Sequence, residues 1–471
     1  MTRLPEGELH SGRRGVDTHE EMMVQSRPVQ HVVVVGAGMV GLSCAWHLLK
    51  RGADVTVLER STVGAGASWG NAGYLTPAFV VPLPEPALLR EGLRGVFDPA
   101  APLALDWRPS TQKAMFAAGF LRNATLRRWR RGLASLTPLN AVSLDAFDEL
   151  ARDGVAVKTR VCDINVGFRA GESAAGLIKE LEEARRAGAV VDWRETEPRR
   201  PMSSAIETAL VLNGQRYVDP GATLDALANA IRAGGAVLTE GASVRSLAFG
   251  PKGLRVDTWA GQPVLADAVV LATGAWLPEL AKPLGVRPTI QAGRGYSCTV
   301  PLDEPLPAPL YLPGVRVALT PYRHGARLAG TMEITDGNSA FRSERLEAIQ
   351  HAVRPLIDGA DWDNVSDPWV GPRPLTPDGL PVIGATKMPG VYVAGGHGMW
   401  GLTLGPVTGR LLAEQIMTGR AAREAIPFDP QRRSWITRSP QFSDRRGISQ
   451  PVPSPCPPEE GRSDVRATVH L

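Results

Sequence analysis

Residues 31–60 read HVVVVGAGMVGLSCAWHLLKRGADVTVLER, and the order of residue types in this stretch decides the fold. Val32 to Val35 form a β-branched run without polar alternation, the pattern of a parallel strand buried on both faces. The run opens into Gly36-x-Gly38-x-x-Gly41 and then an apolar-periodic helix, beginning near Met39 and reaching about Lys50. A second strand, Asp54 to Leu58, ends on Glu59 and Arg60. Each glycine has a separate task in such a unit. Gly36 permits the tight turn, Gly38 lets backbone approach a pyrophosphate, and Gly41 lets the helix pack closely on the strand. The helix N-terminus offers amide donors and a positive dipole to the phosphates. Glu59, 18 residues beyond Gly41, can accept hydrogen bonds from ribose hydroxyls.

The fingerprint alone fits either NAD or FAD. Its N-terminal placement, with no second GxGxxG, favours FAD. Further along, GAGASWGNAG (64–73) is small and polar enough to lie flat against a bulky ligand, or to be a long surface loop. GASVRSL (241–247) and ADAVVLATGAW (266–276) read as a strand pair returning to the first sheet. Thr273, Gly274 and Trp276 then sit where backbone passes close to the dinucleotide. VYVAGGHGMWGLTLGPVTGRLLAEQI (391–416) reads as strand, glycine-rich loop and helix, with Pro406 expected in the first helical turn. In the loop, His397 either tunes the cofactor or stabilises the loop, and Trp400 either packs by the ring system or fills a domain junction.

The rest of the chain sets bounds. Its 471 residues suffice for two folded units, and the net charge of +4 is small for that length. No nucleic-acid motif is present, and the four cysteines are scattered without a C-x-x-C pair, so neither a metal cluster nor a disulfide framework is expected. Residues 1–30 read as a disordered leader without a secretory apolar core, and residues 427–471 as a disordered tail. Alternating strand- and helix-like segments indicate an α/β protein, and residues 286–367 read more like an antiparallel sheet with one helix. The basic stretch FLRNATLRRWRRGLASL (120–136) reads as a helix, either simply solvated or touching an anionic surface.

One later segment, WVGPRPLTPDGLPVIG (369–384), locks Arg373 between Pro372 and Pro374 and so excludes a helix or a central strand there. A guanidinium so held can anchor a carboxylate or form a structural salt bridge. Tyr296, in GRGYSCTV, is a candidate substrate contact or a core residue.

Taken together, these segments and RYVDPGATLDAL (216–227) resemble the D-amino-acid oxidase/dehydrogenase and glycine oxidase family over about residues 30–420, most closely its bacterial D-amino-acid dehydrogenase branch. The resemblance implies an α/β fold. A glutathione-reductase-type, Rossmann-like FAD domain (31–115, 210–285, 369–426) would join an α+β substrate domain containing an antiparallel sheet (116–209, 286–368). Carried over, Gly36, Gly38, Met39 and Gly41 hold the pyrophosphate region, with Glu59 and Arg60 beside the adenosine ribose. Ser68, Asn71, Ala72 and Gly73 line the flavin and ribityl region, and Val244 meets the adenine. Gly398, Trp400, Gly401, Leu402 and Thr403 border the flavin ring. Arg373 matches the family's carboxylate-binding arginine, with Tyr296 and His397 as further candidates near substrate. Trp69 and Gly70 stand where sarcosine-dehydrogenase-like members carry a covalently linked histidine, so non-covalent FAD is expected.

The implied reaction is oxidation of a D-amino acid or cyclic D-imino acid by hydride transfer from Cα to flavin N5. The imino acid then hydrolyses to a keto acid, and electrons pass to a quinone-type acceptor. An oxygen-using amino-acid, glycine or sarcosine-type oxidase making hydrogen peroxide is the alternative, and a non-catalytic FAD-binding scaffold is another. No metal, nucleic acid or transmembrane segment is expected. The expected location is cytoplasmic, with room for peripheral contact at the inner face of the membrane.

Overall fold

The valine run forms the strand His31–Val35, with parallel neighbours on both sides. The computed structural model describes residues 29–86, 103–105, 110–250, 253–323 and 325–432, so the expected leader through residue 28 and the expected tail from residue 433 lie outside the described residues. Among those residues, one sheet has the order Val237–Thr239, Asp54–Leu58, His31–Val35, Ala268–Leu271, Val391–Gly395, Val382–Ala385, and only the last strand runs antiparallel. The missing alternation has a simple cause. Val32 and Val34 enter the core shared with the helices Met39–Leu49, Pro220–Ala233 and Gly401–Thr418, while Val33 and Val35 enter the core on the other face. Each buried valine contributes roughly 1.5–3 kcal/mol.

The helix Gly401–Thr418 lies against Met39–Leu49 at backbone distance. A Cβ on Gly409 would come 2.5 Å from the Ser43 carbonyl carbon, and one on Gly405 2.8 Å from Met39 Cγ. Pro406 is the sixth residue of this helix rather than part of its first turn. Gly398, at φ +56, turns the chain early, and the Leu404 amide donates to the Trp400 carbonyl, so the helix is already under way when the proline arrives.

Of the two segments expected to return to the parallel sheet, only Ala268–Leu271 does so. Val244–Gly250 pairs instead with Gly253–Thr258, and Val264–Ala266 completes a three-stranded antiparallel sheet. Leu254, Val256 and Ala266 face the core with Val33 and Val269, whereas Arg255 and Leu265 point to solvent. That one-sided pattern belongs to an antiparallel sheet, not to a strand buried on both faces.

A nine-stranded sheet runs Ser366–Leu375, Gln291–Pro301, Gly325–Ile334, Val317–Tyr322, Leu310–Leu312, Ile164–Arg169, Ile206–Leu212, Trp193–Thr196, with Leu103–Leu105 also paired to Gly325–Ile334. Ser366–Leu375 carries Arg373 and is an edge strand, where Pro372 and Pro374, having no N–H, interrupt no ladder donor. The domain limits expected at 209/210 and 368/369 fall inside the strands Ile206–Leu212 and Ser366–Leu375 of this sheet. Order also extends past residue 427: Phe428 is fully buried and Arg432 Nε lies 3.0 Å from Asp378 Oδ2. The basic stretch is two helices, Thr111–Asn123 and Leu126–Ala141, broken at Ala124–Thr125.

One face of the nine-stranded sheet is covered by the helix Ser343–Val353 through Leu346 and Ile349. On the other, three strands reach the 64–73 loop. Ser297 Oγ donates to the Gly70 carbonyl (2.9 Å), Arg327 Nη1 to the Trp69 carbonyl (3.0 Å), and Thr320 Oγ1 to the Ala72 carbonyl.

Candidate active site

A cavity of about 250 Å³ runs from the glycine fingerprint to the arginine strand. At the fingerprint end the three glycines act differently. Gly36 has φ +107, and a Cβ there would lie 2.6 Å from the Ala272 carbonyl oxygen. A Cβ on Gly41 would lie 1.9 Å from the Gly36 oxygen, so this glycine serves packing and does not line the cavity. A Cβ on Gly38 would meet only Ser68 Oγ, at 3.2 Å, and otherwise face the cavity. The helix that follows has no acidic residue in its first turn and its N-cap, Gly38, has no side chain, so among the described residues its positive end is met only by Ser68 Oγ at the Met39 amide.

Glu59 is fixed by two backbone donors: Oε2 accepts from the Ala37 amide at 2.8 Å, and Oε1 from the Ser61 amide at 2.9 Å. The Arg60 guanidinium stacks 3.4 Å over the Trp276 ring, and Trp276 Nε1 donates to Asn338 Oδ1. Val244, Thr273 and Gly274 line the same region. A helix N-terminus behind a bare glycine, beside an immobilised carboxylate, fits the pyrophosphate and ribose of an adenine dinucleotide.

Arg373 stands at the opposite end, partly buried between Pro372 and Pro374, which also line the wall. Its Nη1 donates to the Thr331 carbonyl at 3.1 Å. Burial lowers its pKa from 12.5 to about 10, with no carboxylate acting on it. The cation therefore persists at neutral pH without an acidic partner among the described residues. His397 is buried nearby, with Nε2 2.9 Å from Thr408 Oγ1; burial lowers its pKa to about 4, so it is neutral. The Gly398 amide donates to the Pro374 carbonyl at 2.9 Å and ties the glycine loop to the arginine strand.

The DAO family profile, described as FAD dependent oxidoreductase, matches residues 31–415. The chain belongs to the DAO family. It is 30% identical over 403 residues to a protein named D-amino acid dehydrogenase from Cereibacter sphaeroides, covering 83% of this chain and 92% of that protein. A protein of the same name from Methylobacterium radiotolerans is 30% identical over 406 residues, covering 83% and 96%. Glycine oxidase from Geobacillus kaustophilus superposes with a TM-score of 0.64 at 23% identity, over 86% of this chain and 99% of that one, which shows a shared fold.

Within this DAO-family site, Ser68, Asn71, Gly401 and Leu402 line the cavity as the sequence suggests, Ser68 Oγ accepting from the Met39 amide at 3.1 Å. Five cofactor candidates do not line it. Gly41 packs the helix as described, and Gly73 turns the loop at φ +84 with no room for a Cβ beside the Val218 oxygen (2.3 Å). Ala72 is tied to Thr320 through its carbonyl. Trp400 Nε1 donates to the Val81 carbonyl and Thr403 Oγ1 to the Tyr74 carbonyl, both away from the cavity.

Tyr296 is also misplaced by the sequence reading. It is fully buried on the opposite side of its strand, its hydroxyl donating to Glu333 Oε2 at 2.9 Å. Burial first, then Glu333, pushes its pKa up to about 12. Strand parity explains the miss: Gly293, Gly295 and Ser297 face the cavity side, while Arg294 and Tyr296 face the helix side. Sequence reasoning also missed Glu279, Ser243 and Met399 in the wall. Met399 and Ser243 lay inside quoted motifs (391–416 and 241–247), but Glu279 had no local signal.

Proposed function

We propose that this DAO-family chain oxidises a D-amino acid, or a cyclic D-imino acid, at Cα, with FAD held non-covalently in the cavity. One observation carries the reading. Arg373 is a guanidinium without a carboxylate partner among the described residues, on the wall of the cavity whose far end is the dinucleotide cradle. When bound, FAD supplies the two-electron acceptor. Arg373 orients the substrate: its planar fork matches a carboxylate bidentately and so sets direction as well as affinity. Neutral His397 adds no competing charge. The acidic wall residues, Glu59 and Glu279, both act on Arg60 at the other end, so among the described residues no carboxylate stands beside Arg373 to take the amine proton. The amine therefore sheds that proton to solvent and binds neutral, and the imino acid product hydrolyses to a keto acid. Trp69 and Gly70 offer no nucleophile for covalent attachment of the cofactor.

In the same reading the parallel-sheet region holds the dinucleotide, the nine-stranded sheet holds the substrate, and electrons leave to a quinone-type acceptor at the cytoplasmic face of a membrane. No helix among the described residues is long and apolar enough to cross a bilayer, so the contact would be peripheral. Met115, Leu121 and Leu126 are exposed at 57%, 60% and 43% on the helices Thr111–Asn123 and Leu126–Ala141. Beside them, Arg127, Arg128 and Arg131 have no acidic partner among the described residues, whereas Arg130 pairs with Glu183 at 2.6 Å. Burial, then neighbouring Arg122, Arg131 and Arg127, lowers the Arg128 pKa. Apolar side chains ringed by arginines suit an anionic lipid surface.

The test is anaerobic mixing of the yellow protein with D-alanine, D-proline, their L-enantiomers, glycine and sarcosine, following absorbance near roughly 450 nm. Bleaching by D-amino acids is expected, and no bleaching by any of the six refutes the reading. Re-oxidation by a soluble quinone faster than by air supports the acceptor; the reverse order makes the protein an oxidase. Co-sedimentation with phosphatidylglycerol vesicles but not phosphatidylcholine vesicles supports the lipid contact, and equal binding or none removes it.

A further inference from the structure

An arginine anchors a carboxylate in one orientation only if its guanidinium is held in one plane. Two residues that no sequence motif marks meet that requirement. The pairing of Gln291–Pro301 with Gly325–Ile334 shifts register between Arg294, opposite Glu333, and Tyr296, opposite Gly330. Thr331 and Met332 therefore bulge opposite Gly295. Thr331 adopts φ +51, a left-handed conformation that is strongly disfavoured for a β-branched residue. Its hydroxyl is buried without a hydrogen-bond partner and recovers none of that cost. Its carbonyl does find a partner, accepting from Arg373 Nη1 at 3.1 Å.

Gly295 meets the other side of the same group. A Cβ built there would fall 2.1 Å from Arg373 Nη2, 2.2 Å from Cζ and 2.7 Å from Nε. Gly295 is not among the residues with positive φ, so its backbone does not itself require glycine. The guanidinium lies flat on the space where a side chain would be.

We propose that Gly295 and the Thr331 carbonyl form a seat that fixes the plane of the Arg373 guanidinium, making both positioning residues for the substrate carboxylate. The inference rests on the reading of Arg373 as the carboxylate anchor. With Nη1 committed to Thr331 and one face against Gly295, the guanidinium has its remaining edge for the substrate. The bound amino acid then has one orientation in the cavity rather than several.

The seat is tested with G295A, R373A and the double variant, using D-alanine as the probe. The atoms nearest the added methyl are the end of a flexible side chain, so the arginine gives way rather than the backbone. G295A is therefore expected to keep its FAD. It should lower the second-order rate constant of anaerobic flavin reduction about tenfold or more, mainly through KM, as loss of a charge-assisted hydrogen bond predicts. In the R373A background the same methyl has nothing to displace, and its effect should shrink to about twofold or less. A wild-type rate in G295A, with R373A inactive, overturns the seat and leaves the anchor intact. An equal loss in both backgrounds also overturns it, since the glycine would then serve packing alone. A wild-type rate in R373A instead removes the anchor, and the seat with it. Should G295A fail to accumulate as yellow protein, recovery of folded flavoprotein in G295A/R373A supports the seat, and an unfolded double variant refutes it.

Discussion

Replacing Arg373 by methionine should make the substrate-free protein more stable while nearly abolishing its chemistry. The guanidinium is charged in both folded and unfolded chains at neutral pH, but the fold depresses its pKa from 12.5 to about 10 by burial alone. At 1.36 kcal/mol per pK unit, that fall opposes folding by at most about 3 kcal/mol, less what solvent screens at the cavity mouth. The sign is that of a base with a lowered folded pKa. The cost is fully present below pH 10 and relieved only as pH rises toward 12.5. Methionine removes the charge at similar volume but leaves the Thr331 carbonyl without its donor, which returns about 1 kcal/mol. A net gain of about 1–2 kcal/mol remains, a few degrees in melting temperature for a chain of this size. Against substrate the balance reverses, because removing one partner of a desolvated charge pair costs about 3–5 kcal/mol. The rate constant kcat/KM should therefore fall about 150- to 5,000-fold. Thermal release of FAD fluorescence from substrate-free holoenzyme reads the first quantity, and anaerobic reduction reads the second. A lower melting temperature with unchanged reduction kinetics would show Arg373 to be a structural cation and refute the reasoning.

The fingerprint glycines should separate by phenotype. G38A should weaken FAD binding about tenfold or more with little change in apoprotein stability, whereas G41A, 1.9 Å from backbone oxygen, should cost the apoprotein more than about 2 kcal/mol; FAD titration and apoprotein melting distinguish them. T331V removes a buried, unpaired hydroxyl at constant shape and should raise stability by about 1 kcal/mol in a denaturant titration, a fall arguing for an unseen partner. His397 and His47, lowered to about 4 and about 3 chiefly by burial, stay neutral in the fold while the unfolded chain takes up protons below about 6.5. Stability should therefore hold above pH 7 and fall as pH drops toward 4, each histidine accounting for about 2–3 kcal/mol by pH 4.5. H47Q should blunt that fall, and an unchanged acid limb would count against the assignment.

The legible parts of this protein are those in which one short stretch carries both the signal and its consequence. Gly36, Gly38 and Glu59 lie within thirty residues of one another and line one cavity, with Gly41 packing the helix beside them rather than lining it. Arg373 was legible through its two prolines, which fit an edge strand for the same reason that they stiffen a loop. Tyr296 was not, because its role turned on strand parity, and the sequence does not say which face of a strand meets the cavity. A shift of one residue exchanges Gly295 for Tyr296, so a hydrogen-bonding side chain was expected where bare backbone is needed.

The same parity explains how the two ends of the cavity are held together. Gly295 and Ser297 share one face of their strand: the first receives the Arg373 guanidinium, and the second donates to Gly70 in the 64–73 loop. Thr320 and Arg327, on the next strands, donate to Ala72 and Trp69 of that loop. A strand slipped by one residue would lose the arginine's seat and this loop contact together, since both depend on one alternation. The glycine-serine spacing in GRGYS thus has a physical reason that surrounding motifs could not supply. It lets one strand serve the proposed substrate anchor and the proposed cofactor loop at once.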